Sequence, residues 1–255
     1  MEEMLLRVEG LTKRFGGLEA LNNVTFSVKK GEIFGIIGPN GAGKSTMLAL
    51  ISGFFPPTRG KIVFDGHDIT GWKTHDIASL GMSRNFQASM LFMDLPAIEN
   101  VFTGYHLLYH TGMWKRVFRI SSALKEEEDF KQRAADIMDF MGIGQVKNEL
   151  ARNLPHGHQR VLAMSIALAS NPKLLLLDEP VTGMNQTELN TMVGLIRQIR
   201  DRGITIVMIE HNMETMMSLC DRIMVLNYGE KIAEGKPREI QCNQQVIEAY
   251  LGKDE

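Results

Sequence analysis

The stretch "GIIGPNGAGKST", Gly35–Thr46, decides the fold. From Gly38 it fits the pattern G-x-x-x-x-G-K-[ST]. It follows the apolar run "GEIFGIIG", which predicts a short buried strand, and it opens a predicted helix, which is the context the pattern requires. Gly41 and Gly43 let the backbone curl so that successive N–H groups point at phosphate oxygens. The helix N-terminus adds a favourable potential for an anion. Lys44 places a cation against the β- and γ-phosphates, and the Ser45 hydroxyl is a Mg²⁺ ligand. Gly38, Pro39, Asn40, Gly41, Ala42, Gly43, Lys44, Ser45 and Thr46 are therefore the candidate nucleotide-binding residues. The loop points to a nucleoside triphosphate and does not say which machine uses it.

Working outward, "VTFSV" alternates with Val24, Phe26 and Val28 on one face, and "GKIVFDGHDIT" predicts a strand followed by an Asp-Gly turn. Helical periodicity begins at His75, and helix dominates from about Ile98 to Ala169. Its clearest amphipathic piece is "SALKEEEDFKQRAADIMDFMGI". "KLLLLDEP", "GITIVMIEHN" and "RIMVLNYGEKIAEG" predict three more strands with helices between. The first two are continuous apolar runs, as in parallel strands covered on both faces. The expectation is an α/β core with a helical insertion. "LLLLDEP" puts Asp178 and Glu179 at a buried strand end. In a phosphoryl-transfer site Asp178 suits a place near Mg²⁺, and Glu179 suits polarisation of the attacking water.

The bulk numbers narrow the class. The 255-residue chain has 44% apolar and 23% charged residues and a formal net charge of -2, so no basic surplus points to nucleic acid. "MEEMLLRVEG" lacks the basic start and long apolar stretch of a secretory signal, and no apolar run reaches membrane-spanning length. Cys220 and Cys242 match no paired metal or redox spacing and read as packing residues in a reducing compartment. "HTGMWKRVFRISS" is basic and aromatic. It reads as a solvated helix edge or loop, with a membrane-surface or partner contact as the alternative.

The order of "GPNGAGKST", "NFQ", "NLPHGHQR", "LLLLDEP" and "IEHN" resembles the ATP-binding subunit of an ABC transporter, over essentially the whole chain. The flanking "LTKRFGGLEALNNVTFSV", "LFMDLPAIENV", "LCDRIMVLNYGEKIAEG" and "VIEAYLG" are similar to the larger ATPase of branched-chain amino-acid importers. The resemblance implies a P-loop NTPase (RecA-like) α/β core with an N-terminal antiparallel β-subdomain and a helical insertion. It sets a nucleotide-binding core at 1–86 and 170–235, a helical signature subdomain at 87–169 and a C-terminal helical tail at 236–255. It implies that Phe15 stacks on adenine and that Gln87 reaches the Mg²⁺ and the lytic water. "ASMLFMDL" then lines a groove for a membrane subunit, and His211 bridges the γ-phosphate and Glu179. "VTGMN" is implied as a dimer-contact loop, in which Asn185 stands where most of the family has Asp.

The family signature reads Leu-Ser-Gly-Gly-Gln and faces the ATP of a partner subunit. In this chain Leu154 and Gly157 match it, whereas Pro155, His156 and His158 do not. Pro155 has neither a hydroxyl nor a backbone N–H, so two donors are lost. Proline is tolerated at a helix start, so the helix is expected to survive. The implied activity is Mg²⁺-dependent ATP hydrolysis powering uptake of branched-chain amino acids or a related small polar solute. The implied partners are a second ABC ATPase, as hetero- or homodimer, integral-membrane permease subunits and, indirectly, a substrate-binding protein. The implied location is the cytoplasmic face of the cell membrane. The alternatives are a non-transport regulatory ABC ATPase, usually built with two cassettes or a coiled-coil insertion that this chain lacks, and a weakly hydrolysing partner subunit.

Overall fold

The computed structural model describes residues 3–85, 91–108 and 121–251. The chain forms two compact units, residues 1–84 with 173–255, and residues 85–172.

The first unit holds two sheets. One is four-stranded, in the order β2-β1-β4-β5, from β1 (Met4–Phe15), β2 (Leu18–Lys29), β4 (Arg59–Phe64) and β5 (His67–Asp68). Its pairings are all antiparallel. The other sheet runs β10-β9-β3-β8-β7-β6. It is built from β3 (Ile33–Ile37), β6 (Met82–Asn85), β7 (Leu174–Asp178), β8 (Thr205–Ile209), β9 (Arg222–Asn227) and β10 (Glu230–Gly235). β9, β3, β8 and β7 are mutually parallel, and β10 returns antiparallel on β9.

Both sheets and helix α1 (Lys44–Ile51) share one core. Phe34, Ile36, Leu174, Leu176, Val207, Ile209, Met224 and Leu226 point into it at every second position, and α1 contributes Met47, Leu48, Leu50 and Ile51. The alternate residues Ile33, Ile37, Leu175, Leu177, Ile206, Met208, Ile223 and Val225 are equally buried, so these strands are covered on both faces. That double burial is why "LLLLD" and "TIVMI" show no alternation. The opposite holds in β2, where Val24, Phe26 and Val28 are buried, Thr25 is exposed and Ser27 is half-buried.

Two expectations need correction. "RIMVLNYGEKIAEG" is two strands, because Tyr228 and Gly229 both take positive φ (46° and 80°) and close a two-residue hairpin. The helical pattern from His75 stops after α2 (Thr74–Ser79) and gives way to β6. Such a four-residue strand has too few positions to show a period. Cys220 is buried as expected, whereas Cys242 is exposed and is not a packing residue.

The second unit is built on α3 (Ala97–Thr103), α4 (Ser121–Phe140) and α5 (His156–Ala169). In α4, Phe130, Ala134 and Met138 recur every four residues and are buried, with Phe130 stacked on Tyr105 at 4.8 Å. Ion pairs Glu127–Lys131 (2.9 Å) and Asp129–Arg133 (2.8 Å) lie along the same helix. The remaining helices, α6 (Gln186–Asp201), α7 (Met213–Leu219), α8 (Pro237–Gln241) and α9 (Gln244–Leu251), belong to the first unit.

Candidate functional site

The phosphate loop is held by sterics that only glycine satisfies at two points. A Cβ on Gly38 would lie 2.1 Å from the Leu226 carbonyl oxygen of β9. A Cβ on Gly43, which caps α1 at φ 99°, would lie 2.6 Å from the Ala20 carbonyl oxygen. The loop is pinned further by the Gly229 N–H donating to the Ala42 oxygen at 3.1 Å. Lys44 is 6% exposed, and its ammonium donates back to the Gly38 and Pro39 carbonyls at 2.8 and 3.0 Å. Burial holds its pKa below the ordinary lysine value, while Glu179 and then Asp178 pull it back up. A buried ammonium satisfied by two neutral carbonyls is an arrangement that an incoming polyanion improves.

The loop floors a cleft of about 520 Å³. The same cleft gathers Phe15, Asn40 to Thr46, Glu179 and His211, so residues far apart in sequence meet there. Phe15 is 41% exposed, and its ring is held by Phe55 edge-on at 5.6 Å and by the Lys13 ammonium at 4.9 Å. Glu179 follows β7 in a left-handed conformation, φ 51°, which is uncommon for a non-glycine residue and clusters at functional sites. Its N–H donates to the Ile209 oxygen at 2.9 Å, and its Oε1 meets His211 Nε2 at 2.7 Å.

Asp178 is not among the residues lining the cleft. Its Oδ2 accepts from Arg84 Nη2 at 2.8 Å, and both side chains are largely buried (16% and 13% exposed). Arg84 was not singled out from the sequence. "MSRN" carries no motif, and only the pairing of β6 beside β7 brings the guanidinium to the strand end. One further lining residue was also missed: Tyr228, 89% exposed, lines the cleft from the β9–β10 turn. Gln87, Ala88 to Met90 and Trp114 to Ile120 lie outside the described residues. Beyond them, Phe92, Met93 and Leu95 of "LFMDL" are exposed, and Leu91 is buried.

In the second unit Leu154 is buried and Pro155 is the N-cap of α5, at φ −53° and ψ 150°, with no side-chain cap. His156 is exposed, while Gly157 and His158 are half-buried. The buried Gln159 fixes the turn. Its Nε2 donates to the Leu154 and Ala151 oxygens at 3.0 and 3.2 Å. Asn185 caps α6 through a reciprocal box. Its Oδ1 accepts from the Thr187 and Glu188 N–H groups at 3.0 Å each, and Glu188 Oε2 accepts from the Asn185 N–H at 3.1 Å.

The family model for ABC transporters matches residues 21–182, which span the phosphate loop, "NLPHGHQR" and "LLLLDEP". This chain belongs to the ABC transporter ATP-binding family. A second model, for the branched-chain amino acid ATP-binding cassette transporter, matches residues 230–255. The cassette is 37% identical to the high-affinity branched-chain amino acid transport ATP-binding protein BraF of Pseudomonas aeruginosa, over 99% of this chain and 100% of the relative. It superposes with a TM-score of 0.86 on the crystal structure of the ADP conformation of MJ1267, an ATP-binding cassette of an ABC transporter. The identity there is 29%, covering 98% of this chain and 99% of that one. Against the dimeric post-hydrolysis state of the cassette MJ0796, bound to ADP and Pi, the TM-score is 0.77 at 26% identity, over 91% and 99% of the two chains. The fold is thus the α/β P-loop NTPase fold of ABC cassettes, and the chain is an ATP-binding, ATP-hydrolysing transporter subunit of a kind that dimerises and works with membrane permeases. Among the described residues no helix is long and apolar enough to cross a membrane.

Proposed function

We propose that this cassette powers the import of branched-chain amino acids, or of a related small polar solute, from the cytoplasmic face of a membrane. It pairs there with a second ABC ATPase and docks on permease subunits, which receive substrate from a binding protein. The observation that carries the reading is the 2.7 Å contact between His211 Nε2 and Glu179 Oε1 at a cleft floored by the buried Lys44. The full-length similarity to BraF and the match at residues 230–255 support the substrate class.

In this reading ATP lies with adenine against Phe15 and its phosphates against the Asn40–Thr46 backbone. The Lys44 ammonium exchanges its carbonyl partners for phosphate oxygens. The Glu179 carboxylate accepts the proton of the attacking water, and His211 holds that carboxylate in place and reaches the γ-phosphate. Ser45, exposed in the cleft, Asp178 and Gln87 are the proposed protein ligands, hard oxygen donors of the kind that Mg²⁺ would take beside phosphates and water. When bound, the ion neutralises charge on the transferring phosphoryl group. Leu154 to His158 face the partner's ATP. Residues 87–169 act as the signature subdomain, and the loop from Gln87 with the exposed Phe92, Met93 and Leu95 receives the permease.

The test is uptake of labelled leucine, with ATP turnover, by the assembled transporter in proteoliposomes. Glu179→Gln is expected to cut turnover by about 10³-fold, within the range for a general base, with ATP binding retained. Undiminished turnover would remove Glu179 from the role. ATP-driven transport that ignores leucine, isoleucine and valine would overturn the branched-chain assignment and leave only the related polar solute.

A further inference from the structure

We propose that Glu210 is a positioning residue for ATP hydrolysis: its carboxylate ties the loop that follows Glu179 to the loop that carries His211, and so holds the two groups at bonding distance. The inference rests on the roles proposed above for Glu179 and His211.

Glu210 ends the run from β8 and is 1% exposed. None of the ion pairs among the described residues includes it. Its partners are backbone N–H groups from two separate loops. Oε1 accepts from Val181 at 2.6 Å, two residues past Glu179, and Oε2 accepts from His211 at 3.1 Å. Burial pushes the carboxyl above its ordinary value, the nearby N–H groups of Val181, His211 and Asn212 oppose that, and the Glu179 charge adds to it. A buried carboxylate with no cation is a costly way to join two loops, and apolar packing serves that purpose in most cores. What it supplies that apolar packing does not is two-sided acceptance.

The geometry around it makes the role specific. The Glu179 N–H already bonds the Ile209 oxygen at 2.9 Å, just before Glu210. Glu210 adds a second strap to Val181, so the left-handed Glu179 is fixed from both sides. It also bonds the peptide N–H of His211, the residue whose ring meets Glu179. A shift in either loop would open the 2.7 Å contact. Misplacement of a reacting group by about 1 Å costs about 10²-fold in rate.

Glutamine is the informative replacement. It has the same length but one acceptor oxygen, so its NH₂ would confront a backbone N–H. Aspartate keeps the charge and both acceptors but is one methylene too short to span the loops. Glu210→Gln and Glu210→Asp are each expected to lower kcat by about 10- to 100-fold while the ATP KM stays within about twofold, because the hydrogen bonds of Glu210 go to Val181 and His211 and not to the Gly38–Thr46 loop that carries most of the phosphate contact. Circular dichroism and thermal melting identify which variants fold, and either folded variant suffices. In the Glu179→Gln background, Glu210→Gln is expected to add no further loss, since it acts through that carboxylate. An unchanged kcat, an equal loss in ATP affinity, or a fully additive loss in the double variant overturns the proposal alone. If Glu179→Gln itself leaves turnover intact, the underlying role of Glu179 falls and the proposal falls with it.

Discussion

The N-termini of α1 and α5 make an instructive pair. Neither is capped by a side chain. At α1 the cap is Gly43, whose missing Cβ admits the Ala20 carbonyl and leaves every backbone donor of the turn in place. The first helical residues supply an ammonium and a hydroxyl, Lys44 and Ser45. At α5 the cap is Pro155, with no N–H and no hydroxyl, and the first turn supplies two imidazoles, His156 and His158. Both are sound helix starts, but they differ in what they offer an anion. The first turn of α6 marks the contrast from the other side, because Asn185 and Glu188 satisfy its N-terminal donors internally.

If the α1 turn is the anion site, Lys44→Ala is expected to weaken ATP binding by about 10- to 100-fold, the worth of a charge-assisted contact, as read by calorimetry. The same measurement has a proton signature. Burial lowers the Lys44 pKa in the free protein, and a bound triphosphate raises it again. ATP binding at alkaline pH, just below the ordinary lysine range, is therefore expected to take up protons, seen as a dependence of the binding heat on buffer ionisation, and the uptake is expected to vanish in Lys44→Ala. Equal proton uptake in both proteins would place the anion elsewhere.

A smaller effect is expected at the weaker turn. Pro155→Ser restores one hydroxyl and one N–H, and turnover in the assembled pair is expected to rise about tenfold, part of the 10²–10³ that one well-placed donor supplies elsewhere. Unchanged turnover would mean that His156 or His158 already fills the role. The smallest change is at the α6 turn. Asn185→Ala is expected to cost about 1 kcal/mol, or about 2–4 °C in Tm, without altering ATP affinity. Asn185→Asp is expected to leave Tm unchanged, because both residues cap equally well.

What could be read before folding was whatever is local. Lys44, Gly43 and the strand before them lie in one continuous stretch whose residue types dictate their geometry. Val24, Phe26 and Val28 announce a face by alternation, and Phe130, Ala134 and Met138 do so by helical spacing. β6 was missed because four residues show no period, and the β9–β10 hairpin because "NYGE" carries its turn inside an otherwise strand-like run.

The sequence by itself determined that a phosphate loop follows a buried strand, that two carboxylates end another, and that one helix starts with Pro155 instead of a hydroxyl. Only the tertiary structure decided which groups hold these in place. Arg84 meets Asp178 across 94 residues, and Glu210 reaches Val181 across 29. The physical reason is that a loop's donors and acceptors are fixed by its own residues, whereas the partners that satisfy them are chosen by strand order and by which side chains are buried together.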